Sequence, residues 1–169
     1  LKNIEIFSRL SPTKKKIIQE ADFIFLLSLM IIDKTDNTEY FLYKFNISKK
    51  DQNRISFLNN FFSNKPDSKT FSKNNLEKIL YFNGKQSLLD LLYFEIFKSQ
   101  KIDKKIINFL LYFNEKEPPI LPLRAITLMT KYNIPEGKNL GDKLKKIENK
   151  WADNNFQISE AEVQEIINN

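Results

Sequence analysis

The stretch YFNGKQSLLDLLYFEIFKSQ, residues 81–100, decides the fold class of this chain. Its apolar residues Leu88, Leu92 and Ile96 recur every four positions, so they form one face of an α-helix. The pair Asn83-Gly84 ends the preceding helix, because glycine accepts backbone conformations that other residues avoid. The stretch therefore predicts two helices that are separated at the glycine.

Helix signals continue on both sides of this stretch. Ser11-Pro12 begins a helix, because serine caps free amides and proline suits the first turn. Ser48 with Asp51 and Ser159 with Glu162 have the spacing of a cap and a capping box. The predicted helices cover residues 12–32, 48–62, 75–82, 85–100, 102–113, 123–131 and 140–151, and a last helix follows Ser159.

Few segments are left for other structure. Residues 40–45 fit either a short strand or a helical turn, and residues 64–72 read as a loop from their Pro, Asp, Ser and Asn content. The sequence thus predicts an all-α fold, an irregular array of about seven to nine helices without a sheet. The double proline Pro118-Pro119 marks a change of composition, so we expect a helical body over residues 1–117 and a helical tail over residues 118–169.

The composition removes several kinds of chemistry. The 169 residues contain no Cys and no His, so disulfides, thiolate chemistry and the commonest general base and metal ligand are excluded. Asp33, Asp36 and Glu39 lie close together, but their spacing is that of a polar turn, and no metal site is predicted. The apolar run 23–32 is about half as long as a membrane span, and residues 1–6 carry no secretory signal, so we expect a cytoplasmic protein.

The net charge of +6 suits a polyanionic partner without requiring one. Lys14, Lys15 and Lys16 stand in the first turn of a predicted helix, where the helix dipole disfavours cations. They fit a solvated helix end or a phosphate contact.

Two of the three glycines lie in NIPEGKNLG, residues 133–141. Pro135 and Gly137 predict a tight turn, and Asn139 is the predicted N-cap of the helix that follows. Gly141 falls in the first turn of that helix, at a cost of about 1 kcal/mol relative to alanine, which indicates that something approaches closely. That object could be another helix or a phosphate at the helix N-terminus.

One face of this helix is apolar and its flank is basic. Leu140, Leu144, Ile147 and Trp151 fall on a narrow stripe at helical spacing, so the stripe faces a core. The flank beside it carries three lysines, Lys143, Lys146 and Lys150. Each lysine alone fits a solvated surface, whereas the cluster beside a glycine turn also fits a phosphate-binding surface.

Read together, PLRAITLM, NIPEGKNLGDKLKKIENKW and SEAEVQEI resemble the C-terminal segment of bacterial tRNA nucleotidyltransferases (CCA-adding enzymes) and their poly(A) polymerase relatives. The family pattern Pro-x-Gly-x-x-Leu-Gly, followed by a helix with an aromatic residue near its end, is matched by Pro135, Gly137, Leu140, Gly141, Leu144 and Trp151. IEIFSRL, FNISKKDQNRI and YFNGKQSLLDLL resemble parts of the family's neck and body more loosely. Ala125 and Thr127 stand where the family has Gly and Asp, so no family role is transferred to them.

The resemblance implies a helical body and tail that hold a tRNA by its backbone. In the family a separate N-terminal head carries the metal-binding aspartates and the nucleotide site, and no Asp-x-Asp strand pattern occurs here. We therefore expect no catalytic residue and no cofactor in this chain, with Mg²⁺ and CTP or ATP belonging to the head. The expected partners are tRNA and that head, not a membrane. The expected RNA-binding residues are Arg124, Gly137, Lys138, Gly141, Lys143, Lys146 and Lys150.

Two other functions fit the sequence. The apolar helices could dock on a protein partner, with the basic surface serving only solubility. A DNA-binding helix-turn-helix module, with the helix over residues 140–151 as reader, fits less well, because the apolar stripe turns that helix toward a core.

Overall fold

The computed structural model describes residues 10–64, 66 and 70–168, and this part of the chain is all-α, which confirms the predicted fold class. The IEIFSRL segment falls almost wholly outside the described residues, as does part of the predicted loop at 64–72. Nine helices and no strand occur among the described residues. Their bounds are α1 Pro12–Glu20, α2 Phe23–Ile31, α3 Asn37–Lys44, α4 Lys49–Ser63, α5 Lys73–Lys98, α6 Lys104–Glu115, α7 Ala125–Tyr132, α8 Lys138–Asp153 and α9 Glu160–Asn168.

The chain divides into two compact units between Pro118 and Pro119. Helices α1–α6 belong to the first unit and α7–α9 to the second. The first core is built mainly by α2, α4, α5 and α6. The predicted face Leu88, Leu92 and Ile96 is fully buried in it, at 0%, 0% and 1% exposure.

Gly84 interrupts α5 at the position that the sequence indicates. Its φ of 83° and ψ of 164° are non-helical, and this region of backbone space is essentially restricted to glycine. Helix precedes and follows it, so α5 consists of two helical halves joined by a kink. The predicted break at Asn83-Gly84 is confirmed.

The single helix predicted over residues 12–32 is wrong, because the chain leaves the helix at Ala21 and re-enters it after Asp22. Asp22 has extended backbone angles, and its carboxylate accepts a hydrogen bond from the Phe25 amide at 2.8 Å. The same carboxylate lies 2.8 Å from the Arg54 guanidinium of α4. The cap and this tertiary ion pair together favour a break over a continuous helix.

Arg54 is the centre of a polar network inside the first unit, and only 7% of it is exposed. Its Nε donates to Asp90 Oδ2 at 2.8 Å, and Gln86 donates to the other Asp90 oxygen at 2.9 Å. Burial raises the pKa of Asp90, although the hydrogen bond from Arg54 opposes that change. Burial alone would lower the pKa of Arg54, but its bonds to Asp90 and Asp22 raise it. The network therefore joins the start of α2 to α4 and α5.

The contacts of Lys14 contradict the interpretation of this lysine as part of a solvated helix end. Its Nζ donates to the carbonyl oxygens of Phe97 and Ser99, both at 3.0 Å, at the C-terminus of α5. Terminal carbonyls lack partners within their own helix, so a cation stabilises them. Burial lowers the pKa of Lys14, while Lys15 and Lys16 are exposed.

The remaining ambiguous segment is helical. Residues 40–44 lie in α3, so the helical alternative for residues 40–45 holds and the strand alternative is wrong.

The second unit has a core of its own, formed by Leu128, Ile134, Leu140, Ile147 and Val163. Together with buried Trp151, this places the predicted stripe of α8 inward. Trp151 packs edge-on against Phe156, with ring centroids 4.9 Å apart.

The predicted capping box begins α9. The Ser159 amide donates to Glu162 Oε2 at 2.9 Å, and the Glu162 amide donates to Ser159 Oγ at 3.3 Å. Of the helices described in both units, none is both long and apolar enough to cross a membrane.

Candidate nucleic-acid interface

All seven predicted RNA-binding residues lie in the second unit. Arg124 immediately precedes α7, and Gly137 immediately precedes α8. The other five lie on α8: Lys138, Gly141, Lys143, Lys146 and Lys150.

The turn between α7 and α8 brings the chain into α8 through Gly137. Asn133 closes α7 in the left-handed conformation, with a φ of 53°. Gly137 has a φ of 147° and a ψ of −171°, a conformation that favours glycine, and it occupies the N-cap position. The predicted cap at Asn139 is therefore wrong, because α8 already begins at Lys138.

A glycine cap leaves the N-terminus of α8 without a side-chain acceptor. No side chain in the described part of the chain caps the first amides of α8, and its first turn contains no acidic residue. The first amides of a helix have no partner within the helix, and together with the helix dipole they attract anions. Gly137, Lys138 and Asn139 are all exposed. This N-terminus can therefore accept a negatively charged group from solution.

Gly141 faces open space. A Cβ built at this position would meet no atom within 4 Å. Within the described chain, the interpretation that Gly141 makes room for another helix is therefore wrong. The cost of a glycine in the first turn of α8 is not offset by any packing in the described chain.

The predicted lysine flank is occupied largely by α9. Lys143 donates to the carbonyls of Ile167 at 2.6 Å and Ile166 at 3.4 Å, so it caps the end of α9. Lys150 Nζ lies 3.8 Å from Glu162 Oε1. Lys146 and Lys150 line a hollow of about 240 Å³ with Glu162 and Glu165 of α9. This flank is thus a mixed-charge seam rather than a uniformly cationic surface.

The glycine and the flank lie on different sides of α8. At about 100° per residue, Gly141 is roughly 140–180° around the helix axis from the three lysines of the flank. Lys138 and Lys145 lie within roughly 60° of Gly141 on the same count. The predicted combination of glycine turn and lysine flank is therefore not one surface.

Lys145 is the residue that the sequence reasoning missed. It is exposed, and its side chain forms no hydrogen bond or ion pair with a residue that the structure describes. Its signal was present, since it follows Gly141 by four residues, which is one helical turn. Asp142 and Glu148 lie on the same side, so this surface carries both signs of charge. We call the surface formed by Gly137, Lys138, Gly141 and Lys145 the α8 entry surface.

Arg124 is exposed at the start of α7. Its backbone provides the N-cap position, and its side chain makes no cap hydrogen bond. Its guanidinium has no ion-pair partner in the described ranges, so it is free to contact an anion.

Two of the three carboxylates near α3, those of Asp33 and Glu39, accept hydrogen bonds from described residues. Asp33 accepts from the Thr35 amide at 3.1 Å and from Asn37 Nδ2 at 2.9 Å, and Glu39 accepts from Asn59 Nδ2 at 3.1 Å. No group of three or more acidic residues that could hold a metal ion occurs within the described ranges. The lysines, the arginine and the backbone amides of the candidate interface are groups that bind anions.

Comparison with protein-family models, curated proteins and solved structures found no match for this chain. The resemblance to tRNA nucleotidyltransferases thus rests on the residues of the sequence themselves.

Proposed function

We propose that this chain is the RNA-holding, C-terminal part of a tRNA nucleotidyltransferase of the CCA-adding or poly(A) polymerase type. The proposal begins from the matched motif Pro135, Gly137, Leu140, Gly141, Leu144 and Trp151. Nucleotide transfer, with its Mg²⁺ and CTP or ATP, belongs to a catalytic head that is not part of these 169 residues. Such a protein would work in the cytoplasm.

The observation that carries the proposal is the open N-terminus of α8. Its glycine cap leaves the first amides without a side-chain acceptor, and Gly141 keeps the adjacent surface clear. Lys138 and Lys145 flank this opening. A phosphate can approach the helix axis more closely over a glycine than over any other residue, and helix N-termini bind phosphates.

This geometry suits an RNA backbone better than base recognition. Base edges of an A-form helix are hidden in a deep, narrow groove, so proteins contact its phosphates and 2′-hydroxyls. Backbone contacts position an RNA without reading its sequence. The α8 entry surface offers amides and ammonium groups, which are donors of this kind.

The test exploits the open space around Gly141. Gly141→Ala should stabilise α8 by up to about 1 kcal/mol, because alanine favours helix and the added methyl meets no atom. If a phosphate lies over Gly141, the same methyl should weaken binding to a tRNA that lacks its CCA end. We would measure this by fluorescence anisotropy at about 50 and 200 mM salt, where phosphate contacts give a steep salt dependence.

Charge variants provide the matched comparison. Lys138→Glu with Lys145→Glu should abolish most of the salt-sensitive binding, whereas Lys15→Glu with Lys16→Glu makes the same charge change on exposed residues of α1. Lys143 is unsuitable, because its substitution would also uncap α9. Equal binding by both double variants, together with undiminished binding by Gly141→Ala, would contradict the proposal.

A second function is favoured by two exposed apolar residues of the second unit. Ile120 and Ile126 are 85% and 59% exposed, which fits docking on a protein partner. Such binding would respond weakly to salt and strongly to Ile120→Ser, which separates it from phosphate binding.

A further inference from the structure

A groove of about 780 Å³ opens in the first unit between α4 and the kink of α5. One wall is formed by residues 50–64 of α4 and the turn that follows it, and the other by residues 82–87 on both sides of Gly84. The kink of α5 at Gly84 thus forms one side of the groove.

The lining of the groove combines aromatic rings with polar and cationic side chains. Three aromatic rings line it, those of Phe57, Phe61 and Phe82, and 51% of Phe82 is exposed. No carboxylate is among the described lining residues. The polar part of the described lining consists of five carboxamides, three cations and two serines: Asn53, Asn60, Asn64, Asn83, Gln86, Lys50, Lys85, Arg54, Ser56 and Ser87.

The three lining cations differ in whether they already form an ion pair. Arg54 is committed to Asp90 and Asp22, so it supplies part of the wall rather than a contact. Lys85 pairs with Glu117 at 2.8 Å and donates to the Asn114 carbonyl at 3.3 Å. Lys50 is exposed and forms no ion pair with any described residue. Among the three lining cations, Lys50 is therefore the one whose ammonium group is available to a ligand.

We propose that this groove binds unpaired nucleotides of an RNA strand. Aromatic rings stack on nucleobases of any sequence, and carboxamides donate to and accept from the exposed base edges. The lysine contacts the phosphate that joins the bases. A double-stranded segment does not fit this chemistry, because its bases stack on one another and present no free face.

The chemistry of the lining also argues against a peptide ligand. A basic peptide would require carboxylates, which the described lining lacks, and an apolar helix would require a continuous apolar surface instead of five carboxamides. The groove lies in the first unit, so the inference goes beyond the proposal for the α8 entry surface and stands if that proposal fails.

The experiment uses the whole chain and a labelled single-stranded RNA of about ten nucleotides, which is about the site size of one single-strand-binding fold. The comparison probe is the same sequence paired in a duplex. Phe82→Ala should weaken binding of the single strand at least about fivefold, the lower end of the effect of removing one stacked aromatic ring. Binding of the duplex should not change. Replacement of one uridine by 4-thiouridine should give a photo-crosslink to residues 57–61 or 82, located by mass spectrometry.

Two matched controls keep the test specific. Phe23→Ala removes a ring that is 72% exposed and lies outside the groove. Lys50→Glu should weaken binding of the single strand, and Lys49→Glu makes the same charge change at the neighbouring residue, which does not line the groove. The proposal is overturned if Phe82→Ala binds the single strand as Phe23→Ala does, if Lys50→Glu behaves as Lys49→Glu does, or if the crosslinks map elsewhere. Circular dichroism of each variant establishes that it is folded.

Discussion

At the scale of single residues, the first unit depends on one buried arginine. Arg54 is nearly inaccessible to water, and its charge is balanced by Asp90, which is 1% exposed, and by Asp22. Removing one partner of a buried pair leaves an uncompensated charge, which costs far more than the loss of a surface pair.

Asp90→Ala tests this dependence. We expect it to lower the free energy of unfolding by about 3–5 kcal/mol, because Arg54 would keep its burial and lose its buried partner. The measurement is unfolding in urea followed by circular dichroism. Glu20→Ala is the control, since it breaks the exposed pair with Lys16, 4.0 Å apart, and should change stability by less than about 1 kcal/mol. Equal effects of the two substitutions would mean that the buried pair contributes no more to the free energy of unfolding than an exposed pair does.

The roles of Lys14 and Asp22 could not be derived from local sequence. The pattern KKKIIQEADFIFLLSLMII favours one helix, and the signal for a break within it is a single residue, Asp22, whose type is common at N-caps. The ion pair that supports this cap comes from Arg54, which lies 32 residues away along the chain, and Lys14 is held by carbonyls more than 80 residues away. Such contacts exist only after the helices have packed.

At the scale of helices, the three glycines differ in backbone conformation and therefore in role. Gly84 and Gly137 have positive φ angles that favour glycine, whereas Gly141 is an ordinary helical residue with free space around it. The sequence predicted the first two correctly, because Asn-Gly and Pro-x-Gly are turn signals that act locally. The surroundings of Gly141 depend on tertiary structure, and the helix-packing explanation was therefore wrong.

Gly84→Ala should destabilise the first unit by about 1–3 kcal/mol, because an alanine at a φ of 83° is strained even though its methyl group meets no atom. Its thermal denaturation, followed by circular dichroism, should shift to lower temperature. Gly141→Ala is the matched control and should shift in the opposite direction. An unchanged melting temperature in the Gly84→Ala variant would show that the kink relaxes without loss of packing.

The N-terminus of α9 should make the second unit sensitive to acid. Hydrogen bonds from the Ser159 amide and hydroxyl hold the pKa of Glu162 below its ordinary value, and hydrogen bonds from Lys131 and Tyr132 lower the pKa of Glu160. Because folding lowers both pKa values, the stabilisation is present above about pH 4.5 and is lost as the pH falls through the folded-state values.

Trp151 reports this loss, since it is the only tryptophan in the sequence and is buried in the second unit. Its fluorescence should show a lower melting temperature at about pH 3 than at about pH 6. Glu162→Gln keeps an acceptor for the capping box but cannot titrate, so its melting temperature should vary less with pH. An unchanged pH dependence in this variant would rule out a contribution from Glu162.

At the scale of the whole molecule, each unit has a hydrophobic core of its own. The second unit is only about 50 residues long, and domains of this size bury little apolar surface and are marginally stable. Its stability therefore rests on a few side chains, among which Ile147 is fully buried.

Ile147→Ala should cost about 2–5 kcal/mol through lost burial and a cavity. Hydrogen exchange measured by mass spectrometry should then show faster exchange in α7, α8 and α9, while the amides of α5 keep their protection. Val163→Ala, in the same core, should give the same pattern with a smaller loss. Faster exchange throughout both units would mean that the two cores unfold together.

The hydrogen bonds from Lys14 to the end of α5 also bear on the order in which the first unit folds. Most helix pairs in this unit are neighbours in sequence, as α5 and α6 are, and short loops bring them together quickly. The contact of Lys14 with Phe97 spans 83 residues, and its loop closes at a large loss of chain entropy. We therefore expect α1 to dock late in folding and Lys14 to act mainly by slowing unfolding.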